Sequence, residues 1–453
     1  MESSTVETDV AIVGAGLAGL AAARSLVAAG VDPVLLEARD RVGGRVVDRP
    51  IDGGAVVELG AGFVGPGQDR MLALSRETGV ELFATHTAGK NLLEVGGRHV
   101  RYSGTIPRLR PLALLDAGRA QFKLERLARR VERDEPWNTP DADRLDSETF
   151  ATWMRRNVLT RQVRRLLAIP CKTLWGAEPE DVSLLYALAY MRSAGGLAPL
   201  LDTAGGAQES RFVGGPHLVA RRVADELGER VRLSSPVRRI EQREGELLVR
   251  GEAIDVRARR AIVAIPPPLA ARIDFDPPLA AAREELCQRM PMGMLMKCFA
   301  VYDEPFWRDD GLSGEAVSDR GPATITFDTS PPDGSRGVML GFVGGAEARA
   351  LVGVGAEERR RAVLEGLERL FGTRAGRPDD WIEQVWPAER WSRGGPVAYL
   401  PTGALTALGP ALREPAGLVH WAGTETATEW TGYMDGAVRS GERAASEVLA
   451  ALS

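Results

Sequence analysis

A chain of 453 residues is too long for one ordinary hydrophobic core, so we expect two domains or two interleaved ones. Hydrophobic residues make up 44% of the chain and charged residues 26%, which excludes a disordered or fibrous protein. Acidic residues outnumber basic residues by 62 to 57, and a net charge of −5 provides no broad cationic field for a nucleic acid.

Neither the cysteines nor the histidines form a metal or disulfide pattern. Cys171, Cys287 and Cys298 match no zinc spacing, and the four histidines are scattered along the chain, so we expect no metal site. The first apolar run, residues 10–13, is too short for a signal or membrane segment, and no apolar stretch of about twenty residues follows the last predicted helix. We expect a cytoplasmic protein without a membrane anchor.

The predicted elements begin with a strand, a glycine turn, a helix and a second strand, at residues 6–13, 14–19, 20–29 and 34–37. Residues 110–191 are mostly helical, with long segments at 112–132 and 150–169. Strands return at 231–233, 247–249 and 260–265. The next segment is predicted to contain strands 295–301 and 338–343 and helix 357–370, and we expect these strands to form the floor of a substrate cavity. A strand at 418–422 and a helix at 432–452 complete the pattern.

The first glycine turn, Gly14-Ala15-Gly16-Leu17-Ala18-Gly19, fits the pattern G-x-G-x-x-G. Gly14 allows the tight turn, Gly16 lets the backbone approach a pyrophosphate, and Gly19 lets the helix pack closely on the strand. The helix N-terminus then faces an anion, and Glu37 at the end of the next strand can accept bonds from ribose hydroxyls. This context predicts a dinucleotide site rather than a purely structural turn.

The stretch Arg41-Val42-Gly43-Gly44-Arg45 favours FAD over NAD, because an NAD domain has no need of a glycine pair between two arginines after the ribose acid. It resembles the R-x-G-G-R stretch of the two-dinucleotide-binding-domain flavoproteins, which runs under the cofactor. This resemblance implies that Arg45 reaches the diphosphate and that Gly43 and Gly44 give the backbone room. A surface arginine pair flanking a turn is the alternative.

The C-terminal run WAGTETATEWTGYMDGAVRSGERAA, residues 421–445, closely resembles the flavin-containing monoamine oxidases. Matches at residues 58–65, 205–208, 212–215, 264–267 and 297–307 extend the resemblance over nearly the whole chain. It implies an α/β fold, α+β overall, with a Rossmann-like FAD-binding domain interleaved with a substrate domain of mixed sheet and helices. The expected boundaries are 1–90, 211–290 and 388–453 for the FAD-binding domain, and 91–210 and 291–387 for the substrate domain with its helical insertion.

The resemblance also implies which residues bind FAD. The turn Gly423-Thr424-Glu425 contacts the flavin and ribityl chain, the dipole of the helix starting near Gly432 stabilises reduced flavin, and Trp391 packs near the flavin. The expected cofactor-binding residues are Gly14, Ala15, Gly16, Gly19, Glu37, Ala38, Arg39, Gly43, Gly44, Arg45, Gly60, Ala61, Gly62, Phe63, Val237, Trp391, Gly423, Thr424, Glu425, Gly432, Tyr433, Met434 and Ala437.

Two residues are expected to be catalytic. By the resemblance, Tyr433 forms one wall of an aromatic cage that aligns the substrate amine, since a ring face attracts positive charge. Lys297 lies in an apolar strand, where a charge is costly without a partner. The family places such a lysine on a water bound to flavin N5. The alternatives are a core tyrosine and a buried structural ion pair.

Two features depart from the mammalian monoamine oxidases. Those enzymes attach FAD through a cysteine in the stretch that here reads WSRGGPVAY, residues 391–399, so we expect non-covalent FAD. Gly395 and Pro396 replace the second cage aromatic, and Ile325 at the gate lacks a ring. We therefore expect a half-open cage that accepts a bulkier amine. The expected substrate-binding residues are Thr173, Leu201, Gln208, Ile325, Pro396 and Tyr433.

These features predict FAD-dependent oxidation of a primary or secondary amine to an imine and then an aldehyde, with O2 reduced to H2O2. The expected partners are a small-molecule amine and O2; dimers are common in the family, but no segment here proves one. A flavin oxidase of L-amino acids or of di- or polyamines, a flavin-dependent desaturase or dehydrogenase, and a non-catalytic flavin-binding protein remain alternatives. An amino-acid oxidase needs a cavity arginine, for which Arg192 and Arg211 are candidates, and a diamine needs a carboxylate at the far end of the cavity.

Overall fold

A computed structural model describes residues 5–104 and 109–453. Its strands are β1 Thr5–Val13, β2 Pro33–Leu36, β3 Asp48–Pro50, β4 Val56–Glu58, β5 Phe63–Val64, β6 Leu82–Ala84, β7 Lys90–Val95, β8 Arg98–Tyr102, β9 Ser210–Phe212, β10 Val231–Arg232, β11 Val237–Gln242, β12 Leu247–Gly251, β13 Asp255–Val263, β14 Asp274–Asp276, β15 Leu295–Tyr302, β16 Leu312–Ser318, β17 Ile325–Asp328, β18 Gly337–Gly344, β19 Asp380–Val385 and β20 Val419–Trp421. Its α-helices are α1 Leu17–Ala28, α2 Asp69–Glu77, α3 Pro111–Ala128, α4 Ala142–Asp146, α5 Phe150–Asn157, α6 Arg161–Leu174, α7 Leu184–Ser193, α8 Ala198–Leu201, α9 His217–Leu227, α10 Pro267–Ala270, α11 Ala281–Arg289, α12 Gly345–Val352, α13 Ala356–Phe371, α14 Ala404–Leu408 and α15 Met434–Leu452.

The predicted opening strand, turn, helix and strand are confirmed at β1, α1 and β2, and the mixed α/β fold is confirmed. The single helix predicted at 150–169 is wrong, because the chain turns between α5 and α6. The buried carboxylate of Asp116 accepts backbone N–H bonds from Leu159 and Thr160 at this turn, and the Thr160 hydroxyl caps α6 by accepting from Val163 N. These bonds satisfy the free N–H groups of a new helix start.

An eight-stranded sheet brings together strands from both ends of the chain, in the order β10-β2-β1-β13-β12-β11-β14, with β20 also paired to β13. Strand β1 runs parallel to β2 and β13, and Val13 lies beside Leu36 and Val263. Strand β20 is parallel to β13, with Trp421 beside Val263. The carboxyl ends of four strands therefore share one edge, where parallel sheets bind ligands.

A seven-stranded sheet has the order β19-β15-β18-β17-β16-β7-β8. Phe342 on β18 lies between Lys297 on β15 and Ile325 on β17, so these three residues form one row across the sheet. The strands of the two sheets follow the predicted division of the chain, except that β7 begins at Lys90. The domain boundaries themselves stay a prediction.

Helices α1 and α15 pack against each other beside the eight-stranded sheet at very short distances. A Cβ atom added to Gly441 on α15 would lie 2.1 Å from the carbonyl oxygen of Ala18 on α1. Gly19 serves a different contact, the packing of α1 on β1, because a Cβ atom there would lie 1.9 Å from the carbonyl oxygen of Gly14 in the turn between them. The expected packing role of Gly19 is therefore confirmed. Among the helices of the two described ranges, none has the length and apolar character needed to cross a bilayer.

Replacing Gly441 with alanine is expected to destabilise the protein by about 1–3 kcal/mol, because the new methyl group must displace the backbone of α1. Thermal unfolding of the holoenzyme followed by circular dichroism measures the loss as a lower Tm. Gly118→Ala is the matched control, since Gly118 lies exposed within α3 and has open space around its Cβ position. Alanine favours a helix over glycine, so this control should keep or raise the Tm, and equal Tm values for the two variants would contradict the packing argument.

Candidate active site

A cavity of about 610 Å³ lies between the edge of the eight-stranded sheet, the row on the seven-stranded sheet, and helices α6 to α8. Every residue expected to bind cofactor or substrate lines it, except Ala15, Gly19 and Glu425. Both expected catalytic residues, Lys297 and Tyr433, are in its wall. The structure thus brings together residues spread over most of the chain.

One end of the cavity, which we call the dinucleotide end, is formed by the turn after β1 and the end of β2. Gly16 immediately precedes α1, and a Cβ atom there would meet no other atom within 4 Å, so the backbone is open to a ligand. The buried Glu37 carboxylate accepts bonds from Ala15 N at 2.8 Å and Arg39 N at 3.0 Å, which leaves lone pairs for ribose hydroxyls. Within the described residues, the buried Nε of Arg39 has no hydrogen-bond partner. These groups fit a dinucleotide.

Three residues expected to bind the cofactor lie behind the cavity wall. Ala15 fixes Glu37 through its N–H, and Gly19 serves the helix packing described above. Glu425 does not line the cavity, and its carboxylate is already bonded: Arg45 binds it in bidentate fashion at 2.6 and 3.0 Å, and Ala398 N donates to it at 3.2 Å. The Glu425 side chain therefore positions Arg45, and a contact of Glu425 with the cofactor stays a prediction.

Arg45 joins three parts of the wall. Besides the bonds to Glu425 it donates to the carbonyl oxygen of Pro396 at 2.8 Å, and it lines the cavity. A guanidinium has five N–H donors, so the three bonds that Arg45 makes leave donors for an anion. That Arg45 binds the diphosphate stays a prediction.

The two tryptophans of the cavity occupy different places. Trp391 lies between the guanidinium groups of Arg238 and Arg390, and the neighbouring Ser392 hydroxyl accepts a bond from Arg39. It therefore belongs to the dinucleotide end, and its expected place near the flavin stays a prediction. The buried Trp386, which the sequence analysis missed, donates to the carbonyl oxygen of Leu59 at 3.0 Å. It thus lies against the segment that holds Lys297.

Lys297 is 3% exposed, and no carboxylate among the described residues forms an ion pair with it. Its ammonium group donates to the carbonyl oxygens of Glu58 and Gly60, the latter at 2.7 Å, and lies 5.5 Å from the ring centre of Phe342. Burial lowers the pKa of Lys297 to about 8, although the nearby Glu58 carboxylate opposes this. The lysine can therefore change its protonation state close to neutral pH.

A buried group of charges lies next to Lys297. Asp48 and Glu58 face each other across the β3–β4 pair, and Arg211 binds both carboxylate oxygens of Glu58 at 2.7 and 2.8 Å. Asp48 accepts from His217 N at 2.9 Å, while its other oxygen is buried without a partner among the described residues. Burial, and then the Glu58 carboxylate, raise the pKa of Asp48 to about 7.

The other end of the cavity, which we call the substrate end, is rich in aromatic rings. The ring centres of Tyr190 and Tyr433 are 6.2 Å apart, and the ring centre of Phe327 lies 5.3 Å from that of Phe63 and 6.1 Å from that of Phe342. Tyr190 was not predicted as a site residue, since a tyrosine in an apolar helix is typical of a core. Phe327 was detectable, because residues two apart on a strand share a face and Ile325 was already in the site. Ile325 lacks a ring at the gate, but the rings of Phe327 on β17 and Phe342 on β18 lie in the same part of the wall.

The substrate end contains few polar groups. Within the described residues, helices α6 to α8 and the seven-stranded sheet contribute no acidic side chain and no arginine to the wall, and Glu37 is the only acidic residue of the whole lining. The buried Oε1 of Gln208 and the hydroxyl of Tyr433 have no hydrogen-bond partner there. Burial raises the pKa of Tyr433, which stays a neutral phenol. This end of the cavity therefore fits an apolar molecule with one polar group.

Asp48→Asn is expected to stabilise the protein more at pH 8 than at pH 5. The pKa of Asp48 is raised in the folded state, so the stability linked to its protonation is present at low pH and is lost as pH rises through about 7. Asparagine keeps the shape and carries no charge, so the Tm difference between variant and wild type should grow from pH 5 to pH 8. Asp310→Asn, at an exposed position, is the control and should show no such trend. If the Tm difference between Asp48→Asn and the wild type stayed constant from pH 5 to pH 8, ionisation of Asp48 would not be what lowers the stability.

Comparisons with known proteins agree with this geometry. The family model of flavin containing amine oxidoreductases matches residues 17–449. AofH of Mycobacterium tuberculosis, which carries the name of a flavin-containing monoamine oxidase, is 45% identical over 98% of this chain and 97% of its own. Amine oxidase [flavin-containing] B of Sus scrofa is 37% identical over 98% of this chain and 86% of its own.

Solved structures show the same similarity. Putrescine oxidase bound to putrescine has a TM-score of 0.95 and 34% identity, covering 98% of this chain and all of that chain. Cyclohexylamine oxidase from Brevibacterium oxydans has a TM-score of 0.94 and 34% identity, covering 98% of this chain and 99% of that chain. The chain therefore belongs to the flavin-containing amine oxidoreductase family and is an FAD-dependent amine oxidase.

Proposed function

We propose that this enzyme oxidises monoamines whose body is an aryl or cycloalkyl group. The observation that carries the proposal is the substrate end of the cavity, where Phe63, Phe327, Phe342 and Leu201 surround very few polar atoms. An apolar pocket with a small number of placed polar groups selects an apolar ligand and fixes its orientation through its polar end.

The arginines considered for an amino-acid substrate are engaged elsewhere or lie outside the wall. Arg211 is bound to Glu58 and to the carbonyl oxygen of Ser330, and neither it nor Arg192 lines the cavity. Lys297 is a cation of the wall, but its ammonium group already donates to the carbonyl oxygens of Glu58 and Gly60. A substrate carboxylate buried at the substrate end would therefore lose its hydration without a free cationic partner, which is costly. This argues against an L-amino acid.

The lack of a partner for a buried charge also argues against a diamine, which carries a second positive charge. The relatives named above include enzymes named for putrescine and for cyclohexylamine, so membership of the family leaves both substrate classes open. The second ammonium of a diamine needs a carboxylate at the substrate end, and the described wall there provides none. Cyclic and aromatic monoamines have no second charge and fit this lining.

FAD would be held at the dinucleotide end without a covalent bond, since all three cysteines are buried and none lines the cavity. Bound flavin supplies the two-electron oxidation of the amine, with O2 as the proposed final acceptor. Tyr433 and the Oε1 of Gln208 orient the amine nitrogen, and Lys297 holds a proton at Nζ beside the carbonyl oxygens of Glu58 and Gly60. We further propose that the enzyme is a cytoplasmic homodimer.

Anaerobic mixing of the holoenzyme with single amines tests the substrate class. Cyclohexylamine, benzylamine and phenethylamine should bleach the oxidised flavin band, and air should then restore it with release of peroxide. Putrescine and L-amino acids should bleach it at least tenfold more slowly, because each places an unpaired charge in the apolar end, at a cost of several kcal/mol. Faster bleaching by putrescine or by an amino acid would overturn the proposal.

A charge placed at the substrate end should change the preference. Ile325→Glu introduces a carboxylate in the row with Phe342 and Lys297 and should raise the ratio of kcat/KM for putrescine over cyclohexylamine at least tenfold. Ile325→Gln, which has the same shape without the charge, is the control and should leave the ratio nearly unchanged. Equal ratios in the two variants would show that charge at this position does not select the substrate.

A further inference from the structure

Helix α3 has an unusual distribution of side chains. The positions facing the protein are mostly small, with Ala113, Ala120 and Ala128 buried. Leu124 is the one large apolar side chain of α3 that is fully buried, whereas three others point outward: Leu112 is 64% exposed, Leu115 73% and Phe122 62%. Amphipathic helices of globular proteins have the opposite arrangement. Large exposed apolar side chains on one element mark an interaction surface.

The charged side chains of α3 are also divided between its two faces, with the acidic residues facing the protein and the arginines facing outward. Its two acidic residues point to neighbouring segments: Asp116 accepts from the backbone of Leu159 and Thr160, and Glu125 accepts from Leu197 N at 2.8 Å. From residue 110 to residue 130 the exposed charged residues are all arginines, namely Arg110, Arg119, Arg126, Arg129 and Arg130, and exposed acidic residues follow only from Glu132 onward. In the described part of the chain, no acidic side chain lies within 4.0 Å of their guanidinium nitrogens. The outward face is therefore cationic on a chain of net charge −5.

The apolar and cationic side chains form one continuous surface. Leu112, Leu115, Arg119, Phe122 and Arg126 follow one another at spacings of three or four residues, so they share one stripe of the helix. Leu159 is 59% exposed and lies beside this stripe, because its N–H is bound by Asp116. We call these six residues the α3 surface.

We propose that the α3 surface binds an anionic lipid bilayer, with the helix lying in the plane of the membrane and its leucine and phenylalanine side chains entering the headgroup region. A helix that combines exposed Leu and Phe with flanking arginines has the chemistry of an interfacial helix, which lies on a bilayer and does not cross it. Each arginine near an anionic leaflet strengthens binding by charge attraction.

A second copy of the chain fits the α3 surface less well. A two-fold contact places the same patch of both subunits face to face. Arg119 and Arg126 of one copy would then face a patch that carries the same positive charge and no acidic side chain, and facing like charges oppose association. Anionic headgroups instead complement both the arginines and the apolar side chains.

Flotation of the full holoenzyme with lipid vesicles tests the proposal. The enzyme should bind vesicles of phosphatidylcholine mixed with phosphatidylglycerol, bind pure phosphatidylcholine at least tenfold more weakly, and be released by high salt. Leu115→Ser with Phe122→Ser, and separately Arg119→Gln with Arg126→Gln, should each weaken binding tenfold or more. Bound flavin, Tm and amine oxidation in solution should stay at wild-type levels, since none of the four residues lines the cavity.

The matched control is Val213→Ser with Leu233→Ser, which removes two apolar side chains of 43% and 41% exposure elsewhere on the protein. It should bind vesicles like the wild type. Absence of vesicle binding by the wild type, or equal weakening by the control pair, would overturn the proposal. A change of mass in sedimentation for the Leu115 and Phe122 variant, without lipid binding by the wild type, would assign the surface to a second copy.

Discussion

The bidentate ion pair between Arg45 and Glu425 connects parts of the chain that are far apart in sequence. Arg45 belongs to the loop after β2, Glu425 to the turn after β20, and the Pro396 carbonyl that Arg45 also binds belongs to a third segment. The Glu425 side chain is fully buried, so loss of Arg45 would leave an unpaired buried charge, at a cost of about 3–5 kcal/mol. The walls of the cavity near the cofactor depend on this contact, because each of the three segments supplies residues to it.

Local patterns were sufficient to predict the dinucleotide end. The glycine turn from Gly14 to Gly19, the acid at Glu37 and the 41–45 loop each depend on residues close together in sequence, and β1, α1 and β2 form where expected. The break between α5 and α6 was not predictable in this way, since the carboxylate of Asp116 that fixes it comes from another helix. A single-sequence periodicity contains no information on such a distant partner.

The directions of individual side chains around the cavity were harder to predict for the same reason. Trp386 and Trp391 are five residues apart, yet one lies against the Lys297 segment and the other at the dinucleotide end, because the chain turns between β19 and the 391–399 stretch. Glu425 follows two wall residues directly but points the other way, toward Arg45. Motif resemblance identifies the segment that lies near a cofactor, whereas the direction of each side chain depends on tertiary contacts.

The pairing of β20 with β13 and the packing of α15 on α1 also bear on the order of events during synthesis. Strand β1 and helix α1 leave the ribosome early, but the residues that complete the cavity, from Gly423 to Ala437, emerge almost last. Until then the Ala18–Ala22 face of α1 has no α15 to cover it, and Arg45 has no Glu425. Tight retention of the flavin is therefore a property of the finished polypeptide, and a ribosome that stalls before β20 releases a chain without a closed cofactor site.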